Sequence, residues 1–306
     1  MALFRWLDIV GVVMCVGTIA FRRLIFLPSI QMLGDDQQRT LLEETEFFHT
    51  KRVIFLSLVY LLILHLLTLV HQAEMMSGSP LSGIIPVLPL VLKRTHFGLI
   101  WLTKLFLLVS LFVMTSFRLK TKPTPLLMVS LLLCLTGSLS GHAVSRSPFL
   151  GIILSDWFHY SAVSLWIGGL FPLRWVSGKS ARLLQPGRLG FFLEKTLTAF
   201  SRWAVLCVMT ILMTGMINAG AYLGWQSGFD IPYFRVLLSK LALVGLVLLL
   251  GAVSRFYFLP AFSEDNAGGE LERRFRLVLT IEIGFAVLTL ILAALLTQTS
   301  PPHFVG

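Results

Sequence analysis

His142, Asp156 and His159 stand within one short stretch, "GHAVSRSPFLGIILSDWFHYSAVSLWIGGL", residues 141–170. Imidazole offers a neutral nitrogen to copper, zinc or haem iron. Asp156 and His159 are i and i+3 and share a helix face. The carboxylate can therefore accept one ring N–H and fix the tautomer that leaves the other nitrogen free for a metal. His142 approaches from the preceding segment after a short connection. A lone histidine at a helix end usually hydrogen-bonds to backbone or water. Three polar groups converging where burial is expensive point instead to a ligand site.

Further metal-binding types cluster in the same half of the chain's spans. His65, His71, Met75 and Met76 follow one another closely and suit an intake site, with His96 and His303 on the same side. Met209, Met213 and Met216 recur at i, i+4, i+7 and form one stripe. Thioethers bind Cu(I) while presenting an apolar surface, although methionine at helical spacing is commonly core filler. Met14, Cys15 and Cys134 are possible helpers. Lys104, Lys240 and Glu282 interrupt apolar runs and must face protein or water. Lys240 and Glu282, on sequential segments, suit an ion pair, either a structural bridge or a proton-coupling pair.

The elements that hold these groups are dictated by hydropathy. Of the 306 residues 56% are hydrophobic and 13% charged, with mean hydropathy +0.84, too apolar for a soluble domain's wetted surface. Runs of about 20 apolar residues match the ~30 Å hydrocarbon core, and no period-2 alternation suggests a barrel. The chain is expected to be an all-α integral membrane protein, one polytopic domain over 1–306. Its eight spans are expected near 4–21, 53–71, 97–117, 125–147, 152–173, 203–222, 234–254 and 277–298. Segment 80–92, interrupted by Pro80, Pro86 and Pro89, is expected to be a surface loop. The longest basic connection is 174–202.

Of the 25 Lys and Arg residues, 18 fall in the connections after spans one, three, five and seven. By the positive-inside rule both termini face outward, and the histidines of interest, His49 apart, lie on the outer side. The net charge of +10 follows from this bias and needs no nucleic acid, for which no basic tail or aromatic-interleaved patch exists. Cys15, Cys134 and Cys207 sit in apolar runs and do not form a disulfide framework. The N-terminal run contains Asp8, ends at Arg22-Arg23 and is not a cleavable signal. Trp101, Trp157 and Trp225 read as interfacial anchors; Gly168-Gly169, Gly215 and Gly220 permit close helix approach. No internal repeat stands out. No G-x-x-x-x-G-K-[ST] run exists to bind ATP, and the chain is expected not to be an enzyme.

Four pieces of the chain together resemble the copper-resistance D family of bacterial inner-membrane proteins. They are "SGHA" at 140–143, "DWFHYSAVSLWIGGL" at 156–170, "FSRWAVLCVMTILMTGMINA" at 200–219 and "YFRVLLSKLALVGLVLLLGAVSRFYFLP" at 233–260. They are similar to the family's D-x-x-H…W-x-G-G-L, F-S-R…T-G and Y-G-R-x-L-x-x-K…N-R…P segments. Residues 97–300 match best, with 198–298 as the C-terminal core. Phe234 replaces the usual glycine and Ser254 the usual asparagine.

The resemblance implies copper as the ion handled at the bacterial inner membrane, in resistance or uptake. It implies a separate periplasmic copper chaperone of the copper-resistance C type as partner, and a metal role for His142 and His159 with Asp156 in support. Two other classes remain open: a haem-binding electron-transfer protein, since paired histidines on adjacent helices can ligate haem iron, and a copper assembly factor that does not transport.

Overall fold

The computed structural model describes residues 2–34, 36–78, 85–118, 123–140, 150–223, 232–263 and 269–296. Among these every regular element is helical: α1 (Ala2–Phe21), α2 (Leu27–Gln31), α3 (Gln37–Ser77), α4 (Leu88–Arg94), α5 (His96–Arg118), α6 (Pro123–Leu139), α7 (Leu150–Leu183), α8 (Pro186–Leu223), α9 (Pro232–Val253), α10 (Leu259–Ser263) and α11 (Gly269–Leu296). Local chemistry sets several ends. The Asp36 carboxylate accepts from the Arg39 N–H at 2.9 Å and caps α3. Gly78 closes the same helix in the left-handed region, at φ +61°. Proline opens α6, α8 and α9, where its missing N–H forfeits nothing.

The described part of each expected span lies on a separate helix; residues 141–147 of the fourth and 297–298 of the eighth lie outside the described residues. Six helical stretches are long and apolar enough to cross a membrane by length and composition: 3–31, 37–76, 96–117, 186–220, 234–263 and 269–296. The chain is a multi-pass membrane protein. The spans expected at 125–147 and 152–173 fall on α6 and α7, outside those six. The first has 17 residues, and the second is diluted by Ser155, Asp156, His159, Ser161 and Ser164. The connection expected at 174–202 is instead helical, because α7 continues to Leu183 and α8 starts at Pro186. Within the expected loop 80–92, the described end already belongs to α4.

α1 and α7 form the centre. α1 packs against α3, α6, α7 and α11; α7 packs against α1, α3, α6, α8 and α11. Gly17 and Gly168 bring the central pair together: a Cβ on either glycine would run into backbone of the other helix. One apolar core joins α1, α2, α7, α8 and α11 around Phe26, Leu170, Phe192 and Phe275. A second joins α1, α3, α5 and α6 around Leu58, Leu108, Cys15 and Cys134. The apolar stretches of α8 and α9 are the least buried of the six. α8 packs on α7 and residues 254–263, α9 on α11.

The two ends of the bundle differ. At one, here the basic end, Arg22 pairs with Glu46, both fully buried, and Thr50 donates to Glu46 Oε1 at 2.7 Å. Arg188 pairs there with Asp36, and Arg174 Nε donates to Thr280 Oγ1 at 2.7 Å. α3 has 41 residues, or about 60 Å at 1.5 Å per residue, twice the hydrocarbon thickness. Its first turns, with Arg39, Glu43, Glu44, Lys51 and Arg52, therefore extend past the apolar layer at this end.

An internal repeat, unseen in the sequence, becomes visible here. Residues 22–26 and 254–258 are both π turns. Each sits in the same pattern: Arg23-Leu-Ile-Phe-Leu-Pro28 and Arg255-Phe-Tyr-Phe-Leu-Pro260. A proline collides with the carbonyl four residues before it, here that of Leu24 or Phe256. The wider turn lets both helices accommodate the collision and continue. The repeat extends to partners. Arg23 Nε donates to Thr124 Oγ1 at 2.8 Å, and Arg255 Nη1 to Ser201 Oγ at 2.5 Å.

Candidate functional site

At the end of the bundle opposite the basic end, α7 carries Asp156 and His159 toward two different neighbours. Three residues turn an α-helix by 300°, so the two side chains point about 60° apart. His159 faces α8: its Nδ1 lies 3.0 Å from Thr214 Oγ1. That hydroxyl has one proton, and it is given to the Thr210 carbonyl at 2.6 Å. With that proton on a carbonyl, Thr214 accepts from His159 Nδ1; the ring also meets the backbone of Ile211, and Nε2 is a metal donor in the tautomer protonated on Nδ1. The ring lies over Gly215, whose added Cβ would stand 3.8 Å from Cε1. Ser155 Oγ donates to the Thr214 carbonyl at 3.4 Å and ties the same two turns together.

Asp156 stands beside Ser138 of α6 and in electrostatic range of Arg5 on α1 and Lys240 on α9. Lys240 in turn has Asp156 as its charged neighbour and also lies near His159. Two expectations change. The side chain that meets the imidazole Nδ1 is Thr214, not Asp156, because the 60° offset sends the carboxylate to a different neighbour. Lys240 does not pair with Glu282. Glu282 faces Gly251, which is 11 residues, about 16 Å, further along α9.

The remaining candidates separate. His65 is buried against Trp101 of α5: the rings stack at 4.4 Å, His65 Nε2 donates to the Trp101 carbonyl at 3.0 Å, and Trp101 Nε1 donates to the His65 carbonyl at 2.9 Å. Trp101 is thus an interior group, not an interfacial anchor. His71 stacks on Phe4 of α1 at 5.6 Å. Six residues after His65, it falls about 120° away around α3. Met75 and Met76 are exposed at the end of that helix; Met75 lies one turn beyond His71 on the same face, whereas His65 is turned away and held by Trp101. Met209, Met213 and Met216 are 58%, 67% and 77% exposed. The stripe lies on the outer wall of the bundle, because the inward face of α8 is spent on α7. Gly220 has nothing near it. Asp8 and Lys104 pair with each other.

His142, His303 and Trp225 lie outside the described residues. Among the described residues no three His, Cys, Asp or Glu side chains gather as a metal cage. Thr214 and Lys240 escaped notice as site residues, although both belong to the quoted motifs. T-G supplies Thr214 and Gly215, R-x-L-x-x-K supplies Lys240, and D-x-x-H supplies Asp156 and His159. Three stretches distant in sequence thus meet at one place, and the serine of F-S-R meets Arg255 at another.

Comparison with known proteins bears on the family of the chain. A family profile described as Copper resistance protein D matches residues 194–296, and one described as Copper resistance protein D-like, N-terminal domain, matches residues 1–151. Copper resistance protein D of Pseudomonas syringae pv. tomato is 31% identical, over 80% of this chain and 82% of that protein. Copper transport protein CutJ of Bacillus subtilis (strain 168) is 29% identical, over 94% of this chain and 53% of that protein. Inner membrane protein YebZ of Escherichia coli (strain K12) is 23% identical, over 56% of this chain and 59% of that protein. No solved structure matches the chain.

Proposed function

From the premise that this chain belongs to the copper resistance protein D family, we propose that it is a copper-handling permease of the bacterial inner membrane. The basic end faces the cytoplasm and both termini face the periplasm, as the distribution of Lys and Arg requires. Copper arrives from the periplasm on a separate carrier of the copper-resistance C type and binds between α7, α8 and α9. The chain moves its cargo and catalyses no covalent step.

The observation that carries this proposal is the contact of His159 Nδ1 with the Thr214 hydroxyl at 3.0 Å, beside Asp156 and Lys240. A ring that donates from Nδ1 to Thr214 keeps the Nε2 lone pair for the metal. Asp156 supplies negative charge nearby, and before copper arrives Lys240 balances it. His142 completes the site. In the sequence it follows Ser138, the α6 neighbour of Asp156, by four residues. Cu(I) accepts two nitrogen donors readily, and Cu(II) accepts nitrogen and carboxylate oxygen together.

The test is copper uptake into sealed vesicles holding the full chain, with metal analysis of the purified protein. Parent vesicles should accumulate copper, and the His142→Ala/His159→Ala double variant should lose both binding and uptake. His65→Ala should keep copper binding, since His65 is spent on Trp101. A double variant that binds copper like the parent refutes the site. A parent that binds copper but accumulates none is an assembly factor, and a parent with a haem absorbance spectrum is an electron-transfer protein.

A further inference from the structure

Glu282 occupies a place where a carboxyl group is hard to explain structurally. It sits at the middle of α11, in the buried stripe Phe275, Leu279, Glu282, Ala286 and Leu290, and is 1% exposed. Its Oε1 would lie 3.5 Å from a Cβ on Gly251 of α9, so no side chain intervenes between the carboxyl and that backbone. Its Oε2 is buried with no hydrogen-bond partner. Ser254, one turn from Gly251 on the same face of α9 and at the start of the second π turn, also has a buried hydroxyl with no partner.

Among the described residues no ion pair reaches Glu282, and the following charged groups around α11 are engaged elsewhere. On α7, Arg174 donates to Thr280 on the exposed side of α11, and Asp156 lies in electrostatic range of Lys240 on α9. On the second π turn, Arg255 donates to Ser201. On α1, Asp8 is paired with Lys104, and Arg22, in the π turn that follows, with Glu46. On α11 itself, Arg276 meets Glu272 at 2.5 Å. A metal ion needs several donors, and one carboxyl with one hydroxyl is too few. A proton needs one. An ionised carboxylate with no counter-charge is the costly state here, so the group that fits is the neutral acid.

We propose that Glu282 is a proton-binding site and that it couples proton movement to copper movement. This rests on the permease proposed above for the coupling, but not for the proton site itself. A carboxyl oxygen of Glu282 takes a proton in one conformation and releases it to water in another, in which α9 separates from α11 at Gly251. No electron transfer is involved, and one proton is bound and released per cycle.

The experiment uses the full chain in sealed vesicles with a pH-sensitive dye in the lumen, together with infrared spectra of the same membranes. In the parent, a protonated-carboxyl carbonyl band should be present and should vanish in Glu282→Gln, an isosteric change that keeps the neutral shape. Copper uptake by the parent should shift lumenal pH. Glu282→Gln should lose that shift at least tenfold while retaining copper binding. A carbonyl band unchanged in Glu282→Gln, or parental copper uptake without a pH shift, overturns the proposal. A parent that moves no copper but shows the Glu282 band refutes the permease and upholds the proton site.

Discussion

Replacing Thr214 by valine tests the site through a residue that need never touch the metal. Valine keeps the β-branched shape but removes the hydroxyl that accepts the His159 Nδ1–H at 3.0 Å. Helix geometry should survive. The Thr210 carbonyl that loses a second donor is already in an α-helix, and Ser155 bonds the backbone of residue 214, not its side chain. What changes is the ring: the proton is no longer held on Nδ1, and an unpaired buried N–H costs about 1–3 kcal/mol. Loss of such an orienting partner weakens metal binding by about 10–100-fold, which is about 1.4–2.8 kcal/mol. Competition between the purified protein and a chromophoric copper chelator reads this directly. Thr214→Ser should restore most of the affinity, because serine returns the hydroxyl. If Thr214→Val binds copper as tightly as the parent, then His159 Nε2 is not the donor or the tautomer is not set by Thr214.

Two other outcomes follow from the packing. Changing Met209, Met213 and Met216 together to leucine should leave copper uptake at the parental level, since all three lie on the outer wall of the bundle; a large loss in the vesicle assay would restore them as a conduit. Gly168→Ala should lower stability by about 1–3 kcal/mol through overpacking, seen as a lower detergent-phase unfolding temperature. Gly220→Ala, which meets nothing, should show no loss.

Hydropathy made the spans legible, because length and apolarity are local properties of each segment. It understated α7 for the same reason: a central helix enclosed by protein carries serines, Asp156 and His159 that a lipid-facing helix would not tolerate. The D-x-x-H pair was legible as chemistry, but its partner was not. Nothing about threonine at position 214 distinguishes it until the rotation of α8 against α7 is known. The methionine stripe shows the complementary limit, since periodicity states that three residues share a face without stating whether it looks inward or outward. The paired R-x-x-F-L-P patterns lie 232 positions apart and match at only four of six positions. Their equivalence rests on the backbone shape they share.

The first π turn also sets the phase of the helix that contains it. Wind all five residues Arg22–Phe26 with ordinary α periodicity instead, and the turn is overwound. Everything upstream then swivels by about 100° and slides by about 1.5 Å relative to everything downstream. Gly17 would leave Gly168, and Asp8 would leave Lys104. One surplus residue thus keys the two halves of a single rod to separate sets of neighbours.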